Sequence, residues 1–123
     1  MTDQTMADQV REWATLAARA ADAKTDADTI ILSVGDLLAV TDLFVVTSGR
    51  TARQVKTLTD EIEAYVAEHG GPRPKRIEGL DDLRWVLMDY GDFVVHVFDD
   101  ATREIYDLER LWRDAPRVAW ATD

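Results

Sequence analysis

Met6, Val10, Trp13, Ala14 and Ala17 recur at helical spacing and predict an amphipathic helix over roughly 6–24. Thr5 followed by Asp8 reads as its start signal. Thr29 to Val34 is a β-branched, apolar run, and Leu43 to Thr47 is another; both read as buried strands. Thr51-Ala-Arg-Gln54 is a capping box. It opens a helix with Val55, Leu58, Ile62, Tyr65 and Val66 on one side, which Gly70-Gly71-Pro72 ends. Lys75 to Glu78 is a short strand.

Trp85 to Tyr90 and Phe93 to Phe98 then form two strands joined by Gly91-Asp92, and Gly at the first loop position suits a two-residue hairpin. That register opposes Tyr90 to Phe93, Met88 to Val95 and Val86 to Val97. It also opposes Asp89 to Val94, Leu87 to His96 and Trp85 to Phe98. Opposed residues share a face and successive ones alternate. One face is therefore Val86, Met88, Tyr90, Phe93, Val95 and Val97, which belongs under helices. The other is Trp85, Leu87, Asp89, Val94, His96 and Phe98, which mixes apolar with ionisable groups and is expected to be partly open. Ala101 to Asp114 reads as short helical turns. Pro116 breaks the chain, and 117–123 is expected to be a flexible tail.

The order α-β-β-α-β-β-β-α predicts one α/β domain over 1–123, with a mixed sheet of about five strands and flanking helices. With 46% apolar residues the chain can bury a core. No apolar run approaches the roughly 18 residues that cross a bilayer. Met1 to Gln9 lacks the basic residues of a secretory signal, so the cytoplasm is the expected compartment. The absence of Cys excludes disulfides, thiolate zinc sites and Cys nucleophiles.

The net charge of −10 argues against binding DNA, whose affinity for proteins comes from Lys and Arg. Ten acids between Glu78 and Glu109 face only Arg84 and Arg103. This is either a solvated face or a docking surface for a basic protein.

Catalytic constellations are poorly represented. Ser33 and Ser48 are the only serines, and neither sits in a nucleophile elbow. A Ser48, His96, Asp89 triad is the weak remaining possibility. Asp89 and His96 lie diagonally on one face, within hydrogen-bonding reach, and read as a structural or partner-facing pair. Asp89 and Asp92 flank the hairpin but do not converge on a metal, and no Gly-rich phosphate loop follows a strand. No metal, cofactor or catalytic residue is expected.

Three blocks carry a family resemblance. Thr41-Asp-Leu-Phe-Val-Val-Thr-Ser-Gly49 followed by Gln54-Val55 is the first. Glu78-Gly79 and Trp85-Val-Leu-Met-Asp-Tyr-Gly-Asp-Phe-Val-Val-His-Val-Phe98 form the second. Arg103-Glu-Ile-Tyr-Asp-Leu-Glu-Arg-Leu-Trp112 is the third. In order, they resemble the Iojap-like ribosomal silencing factors. Leu43, Ser48 and Arg113 depart from that pattern, outside the hairpin. The resemblance implies a fold similar to nucleotidyltransferase domains without their catalytic residues. It implies a non-enzymatic factor that binds large-subunit ribosomal protein fourteen, a basic protein, and blocks small-subunit joining when nutrients run short. It also implies a homodimer when free. Glu78, Trp85, Leu87, Asp89, His96 and Phe98 are the expected partner-binding residues, the alternative for Trp85 being that it fills the core.

Overall fold

The computed structural model describes residues 2–38 and 40–121, with side chains from Met6 onward. Its elements are α1 (Thr2–Asp22), β1 (Ile30–Ser33), β2 (Leu43–Gly49), α2 (Ala52–Glu68), β3 (Arg76–Glu78), β4 (Trp85–Asp89), β5 (Phe93–Asp99), α3 (Asp100–Tyr106) and α4 (Leu108–Leu111). The first helix is already under way at Thr2, ahead of the start signal read at Thr5 and Asp8, and the Thr5 side chain lies outside the described residues. The second helix begins at the predicted N-cap, where Thr51 Oγ1 accepts from Gln54 N at 3.1 Å; the return half of the capping box is shifted by one residue, Gln54 Oε1 accepting from Arg50 N at 2.7 Å. It ends where Gly70 takes a φ of 86°, a left-handed turn that costs Gly little.

The strands form one sheet in the order β1-β2-β5-β4-β3. Only β2 and β5 run parallel; β1 with β2, β5 with β4 and β4 with β3 are antiparallel. The hairpin register is the one the sequence predicts, from Trp85 opposite Phe98 to Asp89 opposite Val94. Tyr90 N donates to Phe93 O at 3.0 Å across the turn, and Gly91 there has a φ of 89°.

Strand alternation sorts the sheet into two faces. On the first, Ile31, Val45, Val95 and Met88 run across four strands beneath α1 and α2. The small side chains Ala14, Ala17, Ala18 and Ala21 let α1 approach closely, and Val55, Leu58, Ile62 and Val66 complete this layer from α2. These α2 side chains, with Val86, Met88, Val95 and Val97, are fully buried, and burying each such apolar side chain stabilises the fold by about 1.5–3 kcal/mol. This core anchors everything else.

The second face carries a smaller core of Ile30, Leu32, Val34, Phe44, Val46 and Phe98, closed by Leu108 and Ala115. The chain end departs from the expected flexible tail. Ser33 N donates to Pro116 O and Val118 N to Ile31 O, both at 2.8 Å, and Trp120 Nε1 donates to Thr29 O at 3.0 Å. The open edge of β1 offers unpaired backbone groups, and these residues satisfy them. Residues 122 and 123 lie outside the described residues.

Candidate functional site

The second sheet face is a grid whose character changes from strand to strand. One row reads Leu32, Phe44, Val94, Asp89, Arg76 from β1 to β3. The next reads Ile30, Val46, His96, Leu87, Glu78. A third holds Ser48, Phe98 and Trp85. Each long row begins apolar and ends charged. The β1 and β2 end is sealed under α4 and the chain that follows it, whereas at β4 the helix contact on this side is that of Tyr106 in α3 with Trp85.

All six expected residues, Glu78, Trp85, Leu87, Asp89, His96 and Phe98, share this face, but they do not share access to solvent. Glu78 is exposed, and Trp85, Leu87 and Asp89 are half-buried. Phe98 is 0% exposed and His96 5%, so in this conformation neither can touch a partner. His96 is enclosed by the rings of Phe44, Trp85 and Phe98, and Leu108 and Trp112 arrive from beyond the third helix to close over the Phe44 and Phe98 cluster beside it.

Trp85 sits at the boundary. Its ring lies 4.9 Å from Phe98, nearly parallel, and 4.7 Å from Tyr106 of α3. Its Nε1 donates to His96 Nδ1 at 3.1 Å. His96 therefore bonds to Trp85, not to Asp89. Asp89 instead accepts from Gly91 N at 2.8 Å, tightening the hairpin turn, and lies 3.6 Å from Arg76 Nη2. The diagonal separation on a twisted sheet left both groups nearer to other partners.

Because Nδ1 accepts, the neutral imidazole carries its proton on Nε2, which is buried without a partner among the described residues. Phe44 meets the ring edge-on at 4.5 Å. Burial in these aromatic surroundings pulls the His96 pKa from 6.5 down to about 4. His96 is thus an uncharged member of an aromatic cluster. The triad read from Ser48, His96 and Asp89 does not assemble, since Ser48 Oγ accepts from Arg103 Nη1 at 3.0 Å.

Arg103 is a residue that charge counting misread. It figured as one of two bases in an acidic tract, yet its charge is spent internally. Nη1 also donates to Asp28 O at 2.6 Å, and Nη2 to Glu109 at 3.1 Å. Only its place in the third sequence block marked it out. Tyr106, within the stretch expected to form short helical turns, is 54% exposed and extends the Trp85 surface.

Beside this surface stand acids without such duties. The turn between β3 and β4 carries Asp81 and Asp82, and α3 carries Asp100 in its first turn and Glu104 one turn on, all exposed. The two segments are held together by Asp99 N donating to Arg84 O at 2.8 Å. The turn depends on Gly79, whose φ is 94° and where a Cβ would fall 2.1 Å from Trp85 O. The result is an apolar strip of Leu87, Trp85 and Tyr106, edged with negative charge. Among the described residues no group of three or more His, Asp or Glu is placed to hold a metal, and no helix is long and apolar enough to cross a membrane.

Residues 7–123 match the family described as "Ribosomal silencing factor during starvation". The chain is 42% identical over 101 residues to the ribosomal silencing factor RsfS of Bacillus subtilis, covering 82% of this chain and 85% of the relative. It is 32% identical over 88 residues to a mouse protein named for mitochondrial assembly of the ribosomal large subunit, covering 69% of this chain and 38% of that one. Among solved structures, a Chromobacterium violaceum protein superimposes with a TM-score of 0.77 at 32% identity, covering 92% of each chain.

Proposed function

Because the chain belongs to the ribosomal silencing factor family, we propose that it docks on the large ribosomal subunit through the Leu87, Trp85 and Tyr106 strip and obstructs joining of the small subunit. The observation that carries this reading is the pairing of a half-open aromatic strip with four exposed acids at one end of the sheet. A basic protein surface is the complementary partner. Opposed charge speeds encounter, and a buried aromatic anchor supplies much of the affinity at such contacts. In this reading the partner is large-subunit ribosomal protein fourteen, and docking there represses translation in the cytoplasm when nutrients are limiting. The name of the mouse relative, which concerns the large subunit, supports the choice of subunit.

We read the protein as a binding module rather than an enzyme, built on a sheet related to nucleotidyltransferase domains. The strand-to-helix junction where such chemistry would sit is occupied by the chain's own groups. Gln54 Oε1 accepts from Arg50 N at 2.7 Å and its Nε2 donates to Lys24 O at 2.9 Å, while Arg103 holds Ser48. The free protein is read as a homodimer.

Purified subunits mixed with increasing protein and resolved on sucrose gradients test the proposal. The expected result is protein comigrating with the large subunit and loss of joined ribosomes. Undiminished joining at saturating protein overturns it.

A further inference from the structure

The C-terminal segment does not stay on one face of the sheet. From Asp100 it passes over the second face, where Leu108, Trp112 and Ala115 pack. Residues 116–118 then run along the outer edge of β1, and Val118 and Trp120 finish against the core of the first face. The segment therefore wraps the sheet edge from one side to the other.

Its apolar hold is slight. None of the residues of α3 is buried, and Leu108 is the one buried residue of α4. Ile105 and Leu111 are 78% and 70% exposed. Beside the backbone bonds of Pro116 and Val118 to β1, two side-chain ties reach the same short stretch ahead of that strand. Arg103 Nη1 donates to Asp28 O at 2.6 Å, and Trp120 Nε1 donates to Thr29 O at 3.0 Å. Two side chains far apart in sequence thus grip consecutive carbonyls. The stretch they grip is itself fixed: the Thr29 hydroxyl bonds that of Thr47 at 2.9 Å inside the protein, and Thr25 Oγ1 donates to Ser48 O at 2.7 Å.

We propose that residues 100–121 form a clasp that opens as one unit, locked at Asp28 and Thr29 by Arg103 and Trp120 acting together, and that its opening uncovers Phe44 and Phe98 on the second face. Between the two locks the buried side chains are Leu108 and Ala115, with Trp112 half-buried, so losing one lock leaves the intervening chain too weakly held to keep the other in place. Segments with few buried contacts form such low-stability cooperative units, while the doubly paired centre of a sheet opens only with the whole protein. The clasp also carries Tyr106 to Trp85, so the docking strip is complete only when the clasp is closed. This last consequence rests on the function proposed above; the clasp itself does not.

Amide hydrogen exchange on the free full-length chain separates the two. Trp112 N, bonded to Leu108 O, reports one end, and Val118 N, bonded to Ile31 O, reports the other. Val95 and Val97 of the central strand serve as reference. Arg103→Gln, which removes the guanidinium from Asp28 O, Ser48 Oγ and Glu109, is expected to speed exchange at least about tenfold at both ends, the loss of even one charge-assisted hydrogen bond being worth that factor, with the reference amides unchanged. Trp120→Phe, which keeps the ring and removes the donor, is expected to speed both ends likewise. Acceleration confined to the end that was altered overturns the proposal, because the locks are then independent. Acceleration of Val95 and Val97 in step also overturns it, because the clasp is then no separate unit. No ribosome enters this measurement, so its failure leaves the docking proposal standing.

Discussion

Replacing Trp85 by Ala removes three things at once. The stacked contact with Phe98 at 4.9 Å and the contact with Tyr106 at 4.7 Å are lost, each such aromatic pair contributing about 0.5–1.5 kcal/mol beyond its buried area. The hydrogen bond to His96 Nδ1 goes too, leaving a buried imidazole with neither nitrogen partnered, at about 1–3 kcal/mol. Truncating a fully buried Trp costs about 3–5 kcal/mol in total; Trp85 is half-buried, so roughly 3 kcal/mol is the expected sum. With a urea dependence of about 1.5–2 kcal/mol per molar, the unfolding midpoint falls by about 1.5–2 M. The sequence alone, treating Trp85 as an interface anchor, predicts a midpoint that barely moves. Trp85→Phe divides the terms, since it keeps most of the packing and loses the donor, and about 1–2 kcal/mol is expected. Urea unfolding of both variants, followed by large-subunit binding at a concentration where each is folded, separates stability from docking. An unchanged midpoint for Trp85→Ala refutes the reasoning and makes the residue a contact surface alone.

Acid is expected to weaken the fold through His96, whose pKa of about 4 lies below its ordinary 6.5. The unfolded chain takes up that proton first, so the contribution is complete above pH 6.5 and is lost as pH falls toward 4, roughly 2–3 kcal/mol by pH 4.5. A His96→Gln variant showing the same loss between pH 7 and 4.5 in urea titrations contradicts this. Gly79→Ala is expected to cost several kcal/mol, because its φ of 94° disfavours any side chain and the new Cβ meets Trp85 O; a thermal midpoint within a few degrees of the wild type argues against that geometry. Charge reversal at Asp81 and Asp82, both exposed, is expected to slow association with the large subunit and flatten its salt dependence without moving the thermal midpoint. Stopped-flow rates indifferent to salt in the wild type rule out electrostatic assistance.

Periodicity carried the sequence reading furthest where interactions are local or between neighbours in the chain. The capping box at Thr51, the left-handed end at Gly70 and the hairpin register from Trp85 to Phe98 each follow from a few adjacent residues. Alternation then fixed which side chains share a face, and so it placed Trp85, Leu87, Asp89, His96 and Phe98 together; the register of β3 on β4 adds Glu78 beside Leu87. It could not say what lies over that face. Phe44 and Phe98 are sealed with Leu108 and Trp112, which return from beyond the third helix, and that return has no signature in either strand. Likewise Arg103 reads as a lone base among acids until the fold brings it to Asp28, Ser48 and Glu109. The strand-pair geometry of Asp89 and His96 allowed a bond, but an indole from the next row of the grid reached the ring first. The chain end was read as loose because nothing local restrains it; the unpaired edge of β1, distant in sequence, does so. Faces and registers are set by the backbone's own repeat, so one sequence reveals them. Cover, partnership and exposure depend on which distant segments arrive, and only the tertiary structure decides that.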